Sequence, residues 1–188
     1  MRGWGSRDRQ FESAQPDVTQ IQSNQLKYLA MEIRKANLTD LDELMVLYKG
    51  QGDYHVDLDP DYFIKSDAEG LAADRKVVEK LIATEEKGLW IAKNDDGKLV
   101  GFVIFSEKTE DNPETKIRRF GEVEELFVSP EARGLGIGKA LLAEVEKYFK
   151  GLGYEYMRLK SSAFNTSAHS FYRSQGYVAR HVLMFKKF

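Results

Sequence analysis

Residues 126–142 read Leu126-Phe-Val-Ser-Pro-Glu-Ala-Arg-Gly-Leu-Gly-Ile-Gly-Lys-Ala-Leu-Leu142: an apolar strand end, a Pro-led turn, then a helix start. Gly134, Gly136 and Gly138 crowd that start. Glycine there lets backbone approach a ligand without a Cβ in the way. The first amides of a helix have no partner inside it, and the macrodipole adds about half a positive charge. Such an end binds anions, phosphate above all. The spacing rules out two familiar phosphate loops. A dinucleotide fingerprint needs G-x-G-x-x-G, and Walker A needs Gly-Lys followed by Ser or Thr, whereas Lys139 precedes Ala140. What stands here is Arg133-x-x-Gly136-x-Gly138.

Outward from this loop, strands and helices alternate. Upstream, Met31–Ala36 reads as a strand, and Asn37-Leu38-Thr39-Asp40 offers an N-cap to a helix carrying Leu41, Leu44, Met45 and Tyr48. Gly50 and Gly52 are expected to end that helix. Asp59-Pro60 marks a second helix start, and Leu71–Glu86 a helix with Leu71, Val77, Val78, Leu81 and Ile82 inward. Leu89–Lys93 and Leu99–Phe105 flank Asn94-Asp95-Asp96-Gly97, a hairpin signal. A charged connection over Glu107–Arg119 leads to a strand at Gly121–Val128. Downstream come a helix over Gly136–Lys150 (Ile137, Leu141, Val145 and Tyr148 on one face), a strand at Tyr154–Lys160, a helix at Asn165–Gln175 and a last strand at Tyr177–Phe185. The order β-α-α-β-β-β-α-β-α-β predicts an α/β (α+β) domain over residues 31–188. Its mixed, mostly antiparallel sheet is flanked by helices on both faces, with one parallel crossover at 121–160. Residues 1–30 carry five glutamines and scattered apolar residues, and read as a poorly ordered extension or a docking helix near Val18–Leu29.

Composition bounds the chemistry. At 188 residues the chain is long enough for one domain with a real core, and a net charge of −2 does not suggest a nucleic-acid partner. There is no cysteine, so disulfides, Cys-based zinc sites and a Cys nucleophile are excluded. Three histidines without metal-ligand spacing make a metal unexpected. No membrane-length apolar run and no secretory pattern occur, which points to a cytoplasmic setting.

Two motifs together resemble one family. Arg133-x-x-Gly136-x-Gly138 after Leu126-x-Val128-x-Pro130, and later Asn165-x-x-Ala168-x-x-Phe171-Tyr172-x-x-x-Gly176-Tyr177, are similar to the GNAT acetyltransferase superfamily over about residues 31–188. The resemblance implies the acyl-CoA N-acyltransferase fold, with acetyl-CoA as co-substrate and an amine as acceptor. It implies that the Gly134, Leu135, Gly136, Ile137, Gly138 and Lys139 amides hold the coenzyme A pyrophosphate, with Arg133 or Lys139 adding charge. The backbone of Leu126, Phe127 and Val128 is expected to pair with the pantetheine arm, which Asn165 also contacts. Tyr172 is expected to lie near the thioester sulfur as general acid, with a plain core tyrosine as its alternative. Dimers are frequent in that family.

An amine of pKa about 10.4 is almost wholly protonated at pH 7, so transfer needs a base. Glu124, then Glu125, are the candidates; strict alternation puts Glu122 and Glu124 on one face with Leu126 and Val128, and Glu125 opposite. Residues 51–70 hold six carboxylates against one lysine, interleaved with aromatics. Tyr54, His55, Asp57 and Glu122 are therefore expected to select the acceptor, a small and possibly cationic amine of polyamine type. Caps and solvated surface account for the same acids equally well. Transfer to a protein or peptide amine, and a non-catalytic acyl-CoA-binding regulatory module, remain alternatives.

Overall fold

The computed structural model describes residues 31–84 and 87–187. The reading of residues 1–30, and the Glu86 end expected for one helix, lie outside them. Five strands form one sheet in the order β1 (Glu32–Lys35), β2 (Lys87–Lys93), β3 (Leu99–Thr109), β4 (Arg119–Val128), β5 (Met157–Leu159). Neighbours are antiparallel except β4 and β5, which run parallel as the crossover requires. The expected mixed sheet is present.

The sheet separates two cores. One face carries Val103, Phe105 and Val123 against helix α3 (Ile137–Gly151). The other carries Ile91, Phe102, Ile104 and Phe127 against α1 (Leu41–Leu58) and α2 (Ala68–Ala83). A fourth helix, α4 (Thr166–Ser174), is capped by Asn165, whose Oδ1 accepts from the Ala168 N–H at 3.0 Å.

Several expected boundaries move. Gly50 and Gly52 do not end α1, which continues through them to Leu58. Each glycine costs a helix about 1 kcal/mol, but the helix faces the sheet at Leu47 and buried Gln51, and Gly50 lies where a Cβ would touch the Phe127 ring at 3.7 Å. Packing outweighs propensity. Asp59-Pro60 opens a turn, and the helix start falls to Asp67, whose carboxylate accepts from the Gly70 N–H at 2.8 Å. In α2, Val78 is buried whereas Val77 is exposed; in α3, Phe149 is buried where Tyr148 was expected. Both misplacements are one-residue errors in helical phase. Tyr177–Phe185 forms no strand.

Candidate functional site

At the end of β4 the chain turns through Pro130–Ala132 into the glycine loop. Gly134 and Gly136 sit at φ 77° and 83°, the left-handed region in which a side chain is strained. A Cβ on either would meet nothing within 4 Å, so the loop leaves open space beside its backbone. Gly136 is the N-cap of α3, and no side chain caps that end. The first-turn amides of a fifteen-residue helix thus face outward beside a loop with no obstructing atoms. Gly138 closes the other side, where its Cβ position lies 3.6 Å from Phe171 and 3.7 Å from Val128.

Just upstream, β4 is left without a strand partner along one edge. It pairs with β5 only over Gly121–Val123, so the stretch from Glu124 to Val128 has no β5 neighbour. Arg133 reaches back over this segment. Its Nε donates to the Val128 carbonyl at 3.2 Å, and its guanidinium lies 4.8 Å from the Tyr54 ring centre. The Tyr54 hydroxyl donates to Asn165 Oδ1 at 3.3 Å, tying α1 to the cap of α4.

The three glutamates of β4 part company at a bulge. Ile104 pairs with Glu125 and Phe105 with Val123, so Glu124 is the extra residue. Alternation therefore fails: Val123 packs with Leu126 and Val128 on the α3 side, while Glu125 and Phe127 face α1. The expectation that Glu122 and Glu124 share the Leu126 face is overturned, since a bulge shifts the phase by one residue. Glu122 is clamped by Arg158, whose Nε donates at 2.7 Å. Glu124 is bound by the Lys87 ammonium, by Lys108 at 3.2 Å and by the Ser106 hydroxyl at 2.7 Å. Burial raises its pKa, but these donors outweigh burial and hold the carboxyl below its usual range.

Glu125 has the opposite character. Burial pushes its carboxyl up, opposed by a hydrogen bond from the Gln51 amide and reinforced by the nearby charge of Glu124. It lines a cavity of about 100 Å³ with Tyr48, Gln51, Asp53, His55, Ser66 and Asp74. Burial lowers the pKa of His55, so the imidazole is neutral at pH 7, and it stacks on Phe63 at 4.9 Å. The Tyr172 phenol is pushed up to about 12 by burial and by the charge of Glu125, which places the two groups within electrostatic reach.

The structure thus brings the glycine loop, Arg133, Tyr54, Asn165, Tyr172, Glu125 and His55 around the end of β4. It leaves Asp57 exposed at the end of α1, outside the cavity, and Leu135 packed against the α3 core. Lys139 is exposed. Gln51, Tyr48, Asp74 and Ser66 were not anticipated. Tyr48, Gln51 and His55 lie at i, i+3 and i+7, a face that appears only once the helix is carried past Gly50. Among the described residues, no group of His, Cys, Asp or Glu is arranged to hold a metal, and no helix is long and apolar enough to cross a membrane.

Known proteins resemble this arrangement. The profile of the acetyltransferase (GNAT) family matches residues 52–177. An uncharacterized N-acetyltransferase of Archaeoglobus fulgidus is 32% identical over 149 residues, covering 77% of this chain and 91% of that protein. Among solved structures, a tetramutant protein from Bacillus halodurans superposes with a TM-score of 0.75 at 22% identity, over 84% of this chain and 99% of that one. An aminoglycoside N-acetyltransferase in complex with CoA superposes with a TM-score of 0.64 at 23% identity, over 85% and 95%.

Proposed function

The chain belongs to the GNAT acetyltransferase family, and from that premise we propose that it transfers an acetyl group directly from acetyl-CoA to a primary amine of a small molecule, with Glu125 as general base and Tyr172 as general acid. One observation carries this reading: β4 joins the two halves of the site. Glu125 lines an acidic and aromatic cavity, and Val128, three residues on, opens into an uncapped glycine loop.

The loop fits a pyrophosphate. Gly134 and Gly136 leave clear space, the α3 amides supply donors, and Arg133 and Lys139 stand beside them. The unpaired edge of β4 over Leu126–Val128 suits an extended pantetheine arm as an added strand. For the arm to use the Val128 carbonyl, Arg133 must release it.

In the transfer, the ammonium of the acceptor loses its proton to Glu125, directly or through water. The free amine attacks the thioester carbonyl, and amides near Val128 stabilise the oxyanion. The C–S bond breaks, and Tyr172 supplies a proton to the departing sulfur. A phenol with a pKa of about 12 is fully protonated at neutral pH, so the acid is always loaded. It yields its proton only as charge develops on sulfur. A raised carboxyl pKa makes Glu125 a stronger base than an exposed glutamate. Glu124, already holding two lysines, is the poorer candidate. Asp74 and Asp53 across the cavity favour a cationic acceptor, although Lys49 bonds Asp53 at 2.5 Å and offsets part of that charge. Aminoglycoside acetylation by a structural neighbour is consistent with a cationic small-molecule acceptor.

The first experiment is calorimetric titration of acetyl-CoA into the wild-type chain and into Gly136→Glu, with circular dichroism to verify folding. Micromolar binding that the variant abolishes supports the assignment and justifies screening amines for thiol release. No binding to the wild-type chain sinks it.

A further inference from the structure

Beyond the site, the chain ends in an apolar run with no packing of its own. From Val178 to Lys187 every residue is exposed, and Val178, Val182, Leu183, Met184 and Phe185 are between 72% and 87% exposed. Monomeric proteins rarely leave such a run to water. Its composition is that of a strand, β-branched and aromatic residues with no Gly or Pro. The same chain carries a vacant place for one: β5 is the last strand of the sheet, so its outer edge is unpaired. The run does not use its own edge. It travels from α4 toward the α1–α2 connection, where Phe185 lies 5.4 Å from the Tyr62 ring.

We propose that residues 177–185 of one copy add an antiparallel strand to the free edge of β5 in a second copy, and that the exchange is reciprocal. Each chain holds both a free strand and a free edge, so two copies related by a two-fold axis satisfy both at once. The area is sufficient. Large side chains of about 150–200 Å² each, exposed to the fractions above, remove about 600–700 Å² per copy. Two copies then reach about 1,200–1,400 Å², inside the range of stable interfaces. Tyr156 and Phe164, exposed apolar residues flanking β5, lie beside the same edge and extend the patch.

Sedimentation equilibrium of the full chain across about 5–100 µM, a span that brackets micromolar association, is the test. A dimer mass is expected, weakened at least a hundredfold in Val182→Asp/Met184→Asp. Because both side chains are solvated in the single chain, the variant should unfold within a few degrees of wild type when both are monomeric. Hydrogen exchange reports the mode: amide protection over 178–185 should rise with protein concentration and vanish in the variant. A monomer at the highest concentration overturns the proposal, as does a dimer indifferent to the double substitution. Protection independent of concentration also overturns it, since the run would then be covered by its own β5 or by residues 1–30.

Discussion

Glu124 and Glu125 are neighbours in sequence with opposite surroundings, and the difference is testable. Glu124 sits among Lys87, Lys108 and Ser106, which hold it ionised; Glu125 is buried with one amide donor from Gln51. If Glu125 is the base, Glu125→Gln should lower kcat by about a hundredfold or more, while Glu124→Gln should cost less than about tenfold. The pH profile gives a second reading. Activity should rise with pH as Glu125 ionises, and Gln51→Leu, which removes the donor that favours the carboxylate, should move that limb to higher pH. Equal losses for the two glutamates would remove the distinction. Tyr172→Phe should likewise cost at least about a hundredfold in kcat with little change in acetyl-CoA affinity, and a loss below about tenfold would dismiss the acid role. Which glutamate faces the cavity could not be read from the sequence. Alternation assumes an unbroken ladder, and the bulge at Glu124 comes from pairing between strands eighteen or more residues apart. The glycine loop was readable because its chemistry is local: three glycines, one helix start.

Elements with strong local signals fell where their residues put them, among them the Asn94–Gly97 hairpin and the helix after Gly136. The misreadings lie where contacts from another element decide. Phe149 replaces Tyr148 on the buried face of α3 because Gly121 of β4 makes room for its ring. A Cβ on Gly121 would stand 2.4 Å from Phe149, too close for either to stay in place. Gly121→Ala should therefore lose about 2–3 kcal/mol, as overpacked cores do, measured by urea denaturation. The accompanying Phe149→Leu should recover part of that loss in the double variant, because the clash is with the ring. If Gly121→Ala is as stable as wild type, the sheet and α3 are not packed as described. Residues 177–185 show the converse case: a strand pattern is present and its pairing partner is not supplied by the same chain.

At the scale of the whole molecule, stability and activity draw on two carboxylates shifted in opposite directions. Asp40, almost fully buried where β1 meets α1, accepts two hydrogen bonds from Arg34 at 2.7 and 2.8 Å. It also accepts one from the Asn37 N–H at 3.0 Å and pairs with Lys93 of β2 at 3.1 Å. Arg34 above all holds its carboxyl well below the usual range, against the opposing effect of burial. Its stabilising contribution is therefore complete above its unfolded pKa near about 3.9 and is lost as pH falls below that value. Glu125 has a raised folded pKa, so its contribution is present at low pH and is lost as pH rises through the folded value. Glu125→Gln should thus unfold at a higher temperature than wild type at pH 7, an advantage that disappears below about pH 4, where both states bind the proton. Asp40→Asn should do the reverse. It leaves Arg34 and Lys93 without their anion and should cost about 3 kcal/mol at pH 7, a figure typical of broken buried pairs, with the gap closing as pH drops below about 4. Urea denaturation of the three proteins at pH 7, 5 and 3 measures both effects. A gap for Asp40→Asn that is as wide at pH 3 as at pH 7 would mean that shape, not charge, holds β1, β2 and α1 together. A Glu125→Gln chain no more stable than wild type at pH 7 would mean that its carboxyl is not strained by burial, which would weaken the case for it as the base.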